Sequence, residues 1–276
     1  MARVYLEEFI KKLKKSNLFF FVMMIAFSGC TSLTVTNAIP EVESPVYIGR
    51  KSFGFSFLAN IGKELNLIDD PSARPPDLTY KQIDVPSKFI SRPAIHYYPY
   101  SRISLTGGIE NSSLVFFKTK IGILNGLVED PPKGVFYAAA NLESTYEIAK
   151  KSGNQKGFGG AAGYPWTAMT QNLTATAGIS IGYQWQRRLV PFIGFNYQYI
   201  QTTGQINQSA GASDPGGNYG MAQQIGFTRV YAIGLDWRPK YGFYFTPEIT
   251  YYEFSWGGNS IKEGSGNIKL TYIPVQ

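Results

Sequence analysis

The chain predicts an all-β fold, an antiparallel up-and-down transmembrane barrel of ten strands, and two features predict it. The first is a pair of segments between Leu173 and Gln201, joined at Gln186-Arg187-Arg188. Leu173, Ala175, Ala177, Ile179, Ile181, Tyr183 and Trp185 alternate with Thr174, Thr176, Gly178, Ser180, Gly182, Gln184 and Gln186. In the partner segment Ile193, Phe195, Tyr197 and Tyr199 alternate with Gly194, Asn196 and Gln198. Successive strand side chains point to opposite faces, so each segment has one apolar and one polar face. At helical spacing the same apolar residues would scatter around the axis. The second feature is composition: 15% aromatic and only 16% charged residues, with 29 Gly and 19 Tyr. That suits strands facing lipid on one side and a crowded interior on the other. Mean hydropathy is only −0.13, because such strands average apolar and polar positions together.

In chain order, Val46 to Ala59 reads as the first strand, with Phe53, Phe55 and Phe57 on one face. Residues 60–87 carry Asp69-Asp70-Pro71 and Arg74-Pro75-Pro76, so they read as a long connection. Phe89 to Tyr98, Arg102 to Glu110 and Leu114 to Leu124 follow as strands, then Val135 to Ile148. Residues 149–171 are Gly-rich and read as a loop, including Gly157 to Gly163, which lacks the Lys-Ser/Thr pair of a phosphate loop. After the central hairpin come a loop at 202–221, strands at Ala222 to Trp237 and Tyr241 to Phe254, a loop at 255–266 and a last strand to Val275. An eight-stranded count, with the first two strands outside the barrel, is the alternative.

Parity orders the connections. One rim receives 60–87, 110–113, 149–171, 202–221 and 255–266; the other receives 99–101, 125–134, 187–188 and 238–240. Long loops at one rim and short turns at the other fit barrels that cross a membrane. At three short turns an aromatic precedes a cation, which reads as an interfacial anchor: Tyr100 near Arg102, Trp185 before Arg187 and Arg188, and Trp237 before Arg238. The alternation aims Arg92, Arg102, Glu110, Lys118, Lys120, Asp236, Glu248 and Lys269 inward, with Glu143 less sharply phased. Charges of both signs in a narrow lumen read as a paired network, since an unpaired one is costly. A path lined by Lys118, Lys120 and Lys269 would favour anions.

The start of the chain indicates export. Lys11, Lys12, Lys14 and Lys15 precede the apolar run Leu18 to Phe27 and then Ser28-Gly29-Cys30, the layout of a cleaved, Sec-type signal helix over 1–29. Phe27-Ser28-Gly29-Cys30 resembles the bacterial lipobox, with Phe where Leu is usual. That resemblance implies a lipidated (palmitate-bearing) Cys30, and Thr31 after it implies the outer membrane. Cys30 is the only cysteine. The resulting division is a signal peptide over 1–29, a lipid-anchored tether over 30–45 and a barrel over 46–276. Over that last stretch the chain resembles the broad class of bacterial outer-membrane β-barrel proteins, which implies both termini in the periplasm and membrane lipids as partners. The chain ends Pro274-Val275-Gln276 rather than on the terminal Phe usual in that class.

Several functions are disfavoured. The net charge is +7; residues 1–29 hold Arg3 and four lysines against Glu7 and Glu8, net +3, leaving +4. That is too mild for nucleic acid, and the basic residues do not interleave with stacking aromatics. Barrel enzymes exist, including a ten-stranded protease family and lipid-modifying families, but the one histidine, His96, carries no GxSxG, HExxH or paired-acid context. No catalytic residue, metal site or cofactor is expected. The leading expectation is a structural or surface-interaction protein working through long outer loops. A narrow solute channel and a soluble periplasmic β-sandwich lipoprotein are the alternatives.

Overall fold

The computed structural model describes residues 33–46, 52–68, 87–100, 102–110, 114–125, 133–155, 164–186, 188–208, 217–220, 224–238, 242–256 and 258–273. Twelve strands follow one another: β1 (Leu33–Ala38), β2 (Ser52–Ile68), β3 (Ser87–Tyr100), β4 (Ile103–Glu110), β5 (Leu114–Leu124) and β6 (Phe136–Gln155). Then come β7 (Tyr164–Tyr183), β8 (Leu189–Gln208), β9 (Gly217–Gly220), β10 (Gln224–Trp237), β11 (Phe243–Trp256) and β12 (Asn259–Tyr272). Ten of them close a ring, β2-β3-β4-β5-β6-β7-β8-β10-β11-β12, with β12 returning to β2; β1 and β9 pair only with β2 and β8. Each pairing is antiparallel between neighbours, so the eight-stranded count is set aside.

The alternation decides which face is which. Phe53, Phe55 and Phe57 point outward, Phe53 being 58% exposed, while Ser52, Ser56 and Asn60 are buried. On β7 and β8 the Leu173–Tyr183 and Ile193–Tyr199 rows face out, with Thr174, Thr176, Ser180, Asn196 and Gln198 inside. The exterior is therefore a continuous apolar belt; Ile249, at 76% exposed, has almost nothing of this chain against it. The belt is tiled by cross-strand ring pairs, among them Phe136–Tyr183 at 4.8 Å, Phe195–Tyr231 at 5.1 Å and Phe243–Tyr272 at 4.6 Å between centroids. Such pairs add to pairing in a sheet. From Trp237 near one rim to Phe227, paired with Tyr199, is ten residues of β10. At about 3.4 Å per residue and a tilt near 40°, that spans roughly 25 Å, the height of a barrel's apolar band.

The two rims differ. At the short-turn rim stand Tyr100, Trp185, Trp237 and Tyr272; at the other, β6, β7 and β8 run to 20 residues each. The expected loops at 149–171 and 202–221 thus give way largely to strand. β6 pairs with β7 from Phe136↔Tyr183 up to Gln155↔Tyr164. The expected loop at 255–266 is a tight turn, with Gly258 at φ +84° and Trp256 paired to Asn259. These stretches lose their apolar face because they rise past the belt, so alternation cannot mark them as strands. Part of the 60–87 connection is likewise strand, β2 reaching Ile68.

The compact unit begins at Leu33, not Val46. Residues expected to be a tether outside the barrel form β1 and then an extended segment through its interior. Leu33 pairs with Ile68 at the long-loop rim, whereas Tyr272 pairs with Phe55 at the other. The two ends of the described unit therefore lie at opposite rims, because residues 39–46 cross the lumen between them. The expected signal helix and Cys30 lie outside the described residues.

Candidate functional site: the plugged lumen

Residues 37–46 fill the lumen. Asn37 to Glu43, Pro45 and Val46 are all buried, although three of them are polar or charged and two are prolines. Prolines at 40 and 45 hold the segment extended and away from any sheet ladder. Its upper end is tied to β2: the Ile39 amide donates to Ile61 O at 3.3 Å, and Asn60 Nδ2 to Ile39 O at 2.5 Å. Opposite, β8 supplies Asn196 Nδ2 to Glu41 O at 2.5 Å, and Gln198 meets Asn37 Nδ2 at 3.0 Å. Lower down, Ser44 Oγ donates to Asp236 Oδ2 at 2.7 Å, and Lys120 Nζ to Val46 O at 2.7 Å. Val46 ends the crossing in a small apolar cluster with Tyr137 and Val190.

Two wall glycines make room for it. A Cβ on Gly194 would lie 2.3 Å from Val42 Cγ1, and one on Gly182 would lie 2.8 Å from Pro45 Cγ. On the central strands, then, glycine fits the segment rather than the turn.

The charges meet at mid-height. Lys118 Nζ reaches Glu41 Oε1 at 3.0 Å and Glu43 Oε1 at 3.1 Å. Lys269 Nζ reaches the same two oxygens at 2.8 and 2.7 Å. Two carboxylates of the segment are thus clamped between two ammonium groups of the wall. Glu143 extends the network, 2.9 Å from Lys118 Nζ and 2.5 Å from Arg92 Nη2, and Arg92 Nε is 3.1 Å from Glu110 Oε2. Arg92, 2% exposed, also lies over the Phe116 ring at 4.1 Å. Glu248 accepts from the Val42 amide at 3.3 Å and from Asn267 Nδ2 at 3.1 Å. Charges this deep persist because each has a partner of opposite sign or a hydrogen-bond donor.

Of the residues aimed inward by sequence, Arg92, Glu110, Lys118, Lys120, Asp236 and Glu248 are buried, as is Glu143, and Lys269 is nearly so. Arg102 is a correction. It lies in the turn before β4, exposed, because the strand ends one residue short of it. Arg238 is a second correction. Instead of anchoring in headgroups it is 13% exposed, with Nε 3.6 Å from Asp236 Oδ1. Two residues on from an inward Asp236, it keeps the inward phase. Tyr100, Trp185 and Trp237 are exposed, at 68%, 62% and 46%, and Arg188 is exposed at its turn; Arg187 lies outside the described residues.

Sequence reasoning missed Glu41 and Glu43, which complete the network, and Lys63, whose Nζ is 2.6 Å from Glu263 Oε2 near the long-loop rim. The segment has no alternation to betray it, since every face is buried. The available signal was its pair of acids flanked by Ile39, Val42 and Val46.

His96 is buried on β3, its Nε2 2.6 Å from Ser56 Oγ and its Nδ1 2.8 Å from Thr106 Oγ1. A hydroxyl within reach of each nitrogen is more than spacing foretold. A hydroxyl rather than a carboxylate orients the ring, however. The adjoining cavity, lined by His96, Tyr98, Lys120, Asp236, Glu248 and Lys269, measures about 40 Å³. That is room for one to three waters, not for a substrate. Among the described residues no group of three His, Cys, Asp or Glu is placed to hold a metal.

No protein-family model matches the chain, and no curated protein does. Among solved structures it is similar to the outer membrane protease OmpT from Escherichia coli, at 9% identity and a TM-score of 0.33, over 81% of this chain and 91% of that one. It is also similar to the CymD monoaromatic hydrocarbon channel, at 8% identity and a TM-score of 0.32, over 83% and 89%. At these values the likeness is one of barrel architecture alone.

Proposed function

We propose that the protein is a bacterial outer-membrane barrel, closed by its own N-terminal segment, that works as a structural or surface-interaction protein through its long-loop rim. The observation that carries this reading is the filled lumen: segment 37–46 is hydrogen-bonded or ion-paired to β2, β5, β8, β10, β11 and β12. A lumen so occupied does not serve as a standing pore. What the chain then has to offer is the wall that β6, β7 and β8 raise beyond the apolar belt. Twenty residues at about 3.3 Å, tilted about 40°, rise roughly 50 Å, about twice the belt's height. The aromatic short-turn rim faces the periplasm in this reading, and the tall rim faces out. It performs no catalysis, and a lipid at Cys30 would add a second anchor.

The test is made on whole cells. Replacing residues 151–168 by an Asn-Gly turn is expected to leave a heat-modifiable barrel and to remove contacts captured from outside by a membrane-impermeant crosslinker. Unchanged capture would show that the tall hairpin is not the working surface. An epitope placed at 209–216 is expected to be reached by antibody on unbroken cells, and one at 239–241 only after lysis. The opposite pattern would reverse the orientation.

A further inference from the structure

The clamp around Glu41 and Glu43 has the form of an occupied anion site. Two carboxylates, on either side of Val42 in an extended chain, present one oxygen each to both Lys118 Nζ and Lys269 Nζ, all four distances between 2.7 and 3.1 Å. Lys120 Nζ lies 3.9 Å from the second oxygen of Glu43 and donates to Ser44 O at 3.0 Å. Within the joined group, Arg92, Lys118, Lys120 and Lys269 stand against Glu110 and Glu143 of the wall and Glu41 and Glu43 of the segment. The salt-bridged group is balanced with the segment in place and loses two negative charges without it; Asp236 and Glu248 balance the wall as a whole, so the positive excess is local to the lysine clamp. Asp236 and Glu248 bound it towards the short-turn rim, held by Ser44 Oγ and the Val42 amide.

The segment is also poorly rooted for a core element. It hangs from β1, a six-residue strand with one neighbour, β2. Beside β1 the barrel seam is short: β12 pairs with β2 over Ile268↔Ala59 to Tyr272↔Phe55, five positions, where β6 and β7 share twenty. Its apolar packing comes from Ile39, fully buried, Val42 over Gly194, Pro45 over Gly182 and the Val46 cluster. The rest of its attachment is polar, and water or an anion can replace polar contacts.

We propose that residues 41–43 are a built-in pseudo-ligand, and that Lys118, Lys120 and Lys269 form a binding site for small multivalent oxyanions. A dicarboxylate or phosphate takes the place of the two glutamates when the segment withdraws, and the vacated lumen then conducts anions. Because the anion binds only the open form, its concentration shifts the balance towards that form. The chain thus carries both a channel and the lock that closes it. This inference shares the membrane-barrel basis of the proposed function but not its surface role.

The experiment uses the full chain, carrying Cys30→Ala, in planar bilayers with a KCl gradient. A Val42→Cys/Gly194→Cys pair, oxidised, ties the segment to the wall; it is expected to abolish openings, and reduction to restore intermittent anion-selective ones. Glu41→Gln/Glu43→Gln is expected to raise the open fraction at least about tenfold, and potassium phosphate or succinate to raise it above chloride at equal ionic strength. The inference is overturned by identical traces before and after reduction, by cation-selective openings, or by silence of the glutamine variant when its heat-shifted mobility shows an intact barrel. Should the glutamine variant fail to fold, the disulfide pair alone decides. Loss of the heat shift in the parent chain would overturn the membrane-barrel reading as well, which separates the two failures.

Discussion

Arg92 shows how a charge survives in the lumen. It is flanked by Glu110 and Glu143, with the Phe116 ring against its guanidinium face. Removing it leaves two buried carboxylates facing each other, and breaking one side of a buried pair costs about 3–5 kcal/mol. Arg92→Met is therefore expected to lower the temperature at which the folded band disappears on a gel. An unshifted transition would mean that water, not protein, solvates this group. Lys269 is the milder case, since its two partners belong to the segment. Residue identity was partly legible here. Alternation aimed Arg92, Lys118 and Lys120 inward because a strand's phase is fixed by its neighbours. It failed at Arg102, where the strand had already ended, and at Arg238, where the inward phase outlived the strand.

At the scale of elements, the segment over 37–46 depends on two glycines as much as on its ion pairs. Gly194→Leu places side-chain atoms where Val42 stands, and overpacking of this kind costs about 1–3 kcal/mol. The expected result is a folded barrel that a glutamate-specific protease cuts after Glu41 or Glu43, while the parent chain resists. Equal resistance would mean that the wall gives way instead. The segment was not legible in the sequence because periodicity reports a difference between two faces, and a strand buried on all sides has none. The tall ends of β6, β7, β8 and β12 hid for the related reason that above the belt neither face is apolar. The strands within the belt, by contrast, could be read almost residue by residue from Phe53, Ile179, Tyr197 or Ile233, because lipid selects one face and the lumen the other.

Taken whole, the molecule reverses the usual layering: its apolar residues face outward and its polar ones inward, as a membrane requires of a closed sheet. Ile249→Lys, at the most exposed apolar position of the belt, is expected to cost about 2–4 kcal/mol when folding is titrated in lipid. A neutral effect would place Ile249 outside the apolar layer. Strand number and closure followed from parity, but the lumen's contents did not, since nothing local to residues 39–46 says where they go. The filled lumen depends on that placement. Its most direct test is the rate at which a membrane-impermeant maleimide labels a thiol at Val42→Cys in the Cys30→Ala chain. A segment seated in the lumen predicts labelling at least about 100-fold slower in the folded barrel than in urea. Labelling at nearly the same rate in both would contradict it.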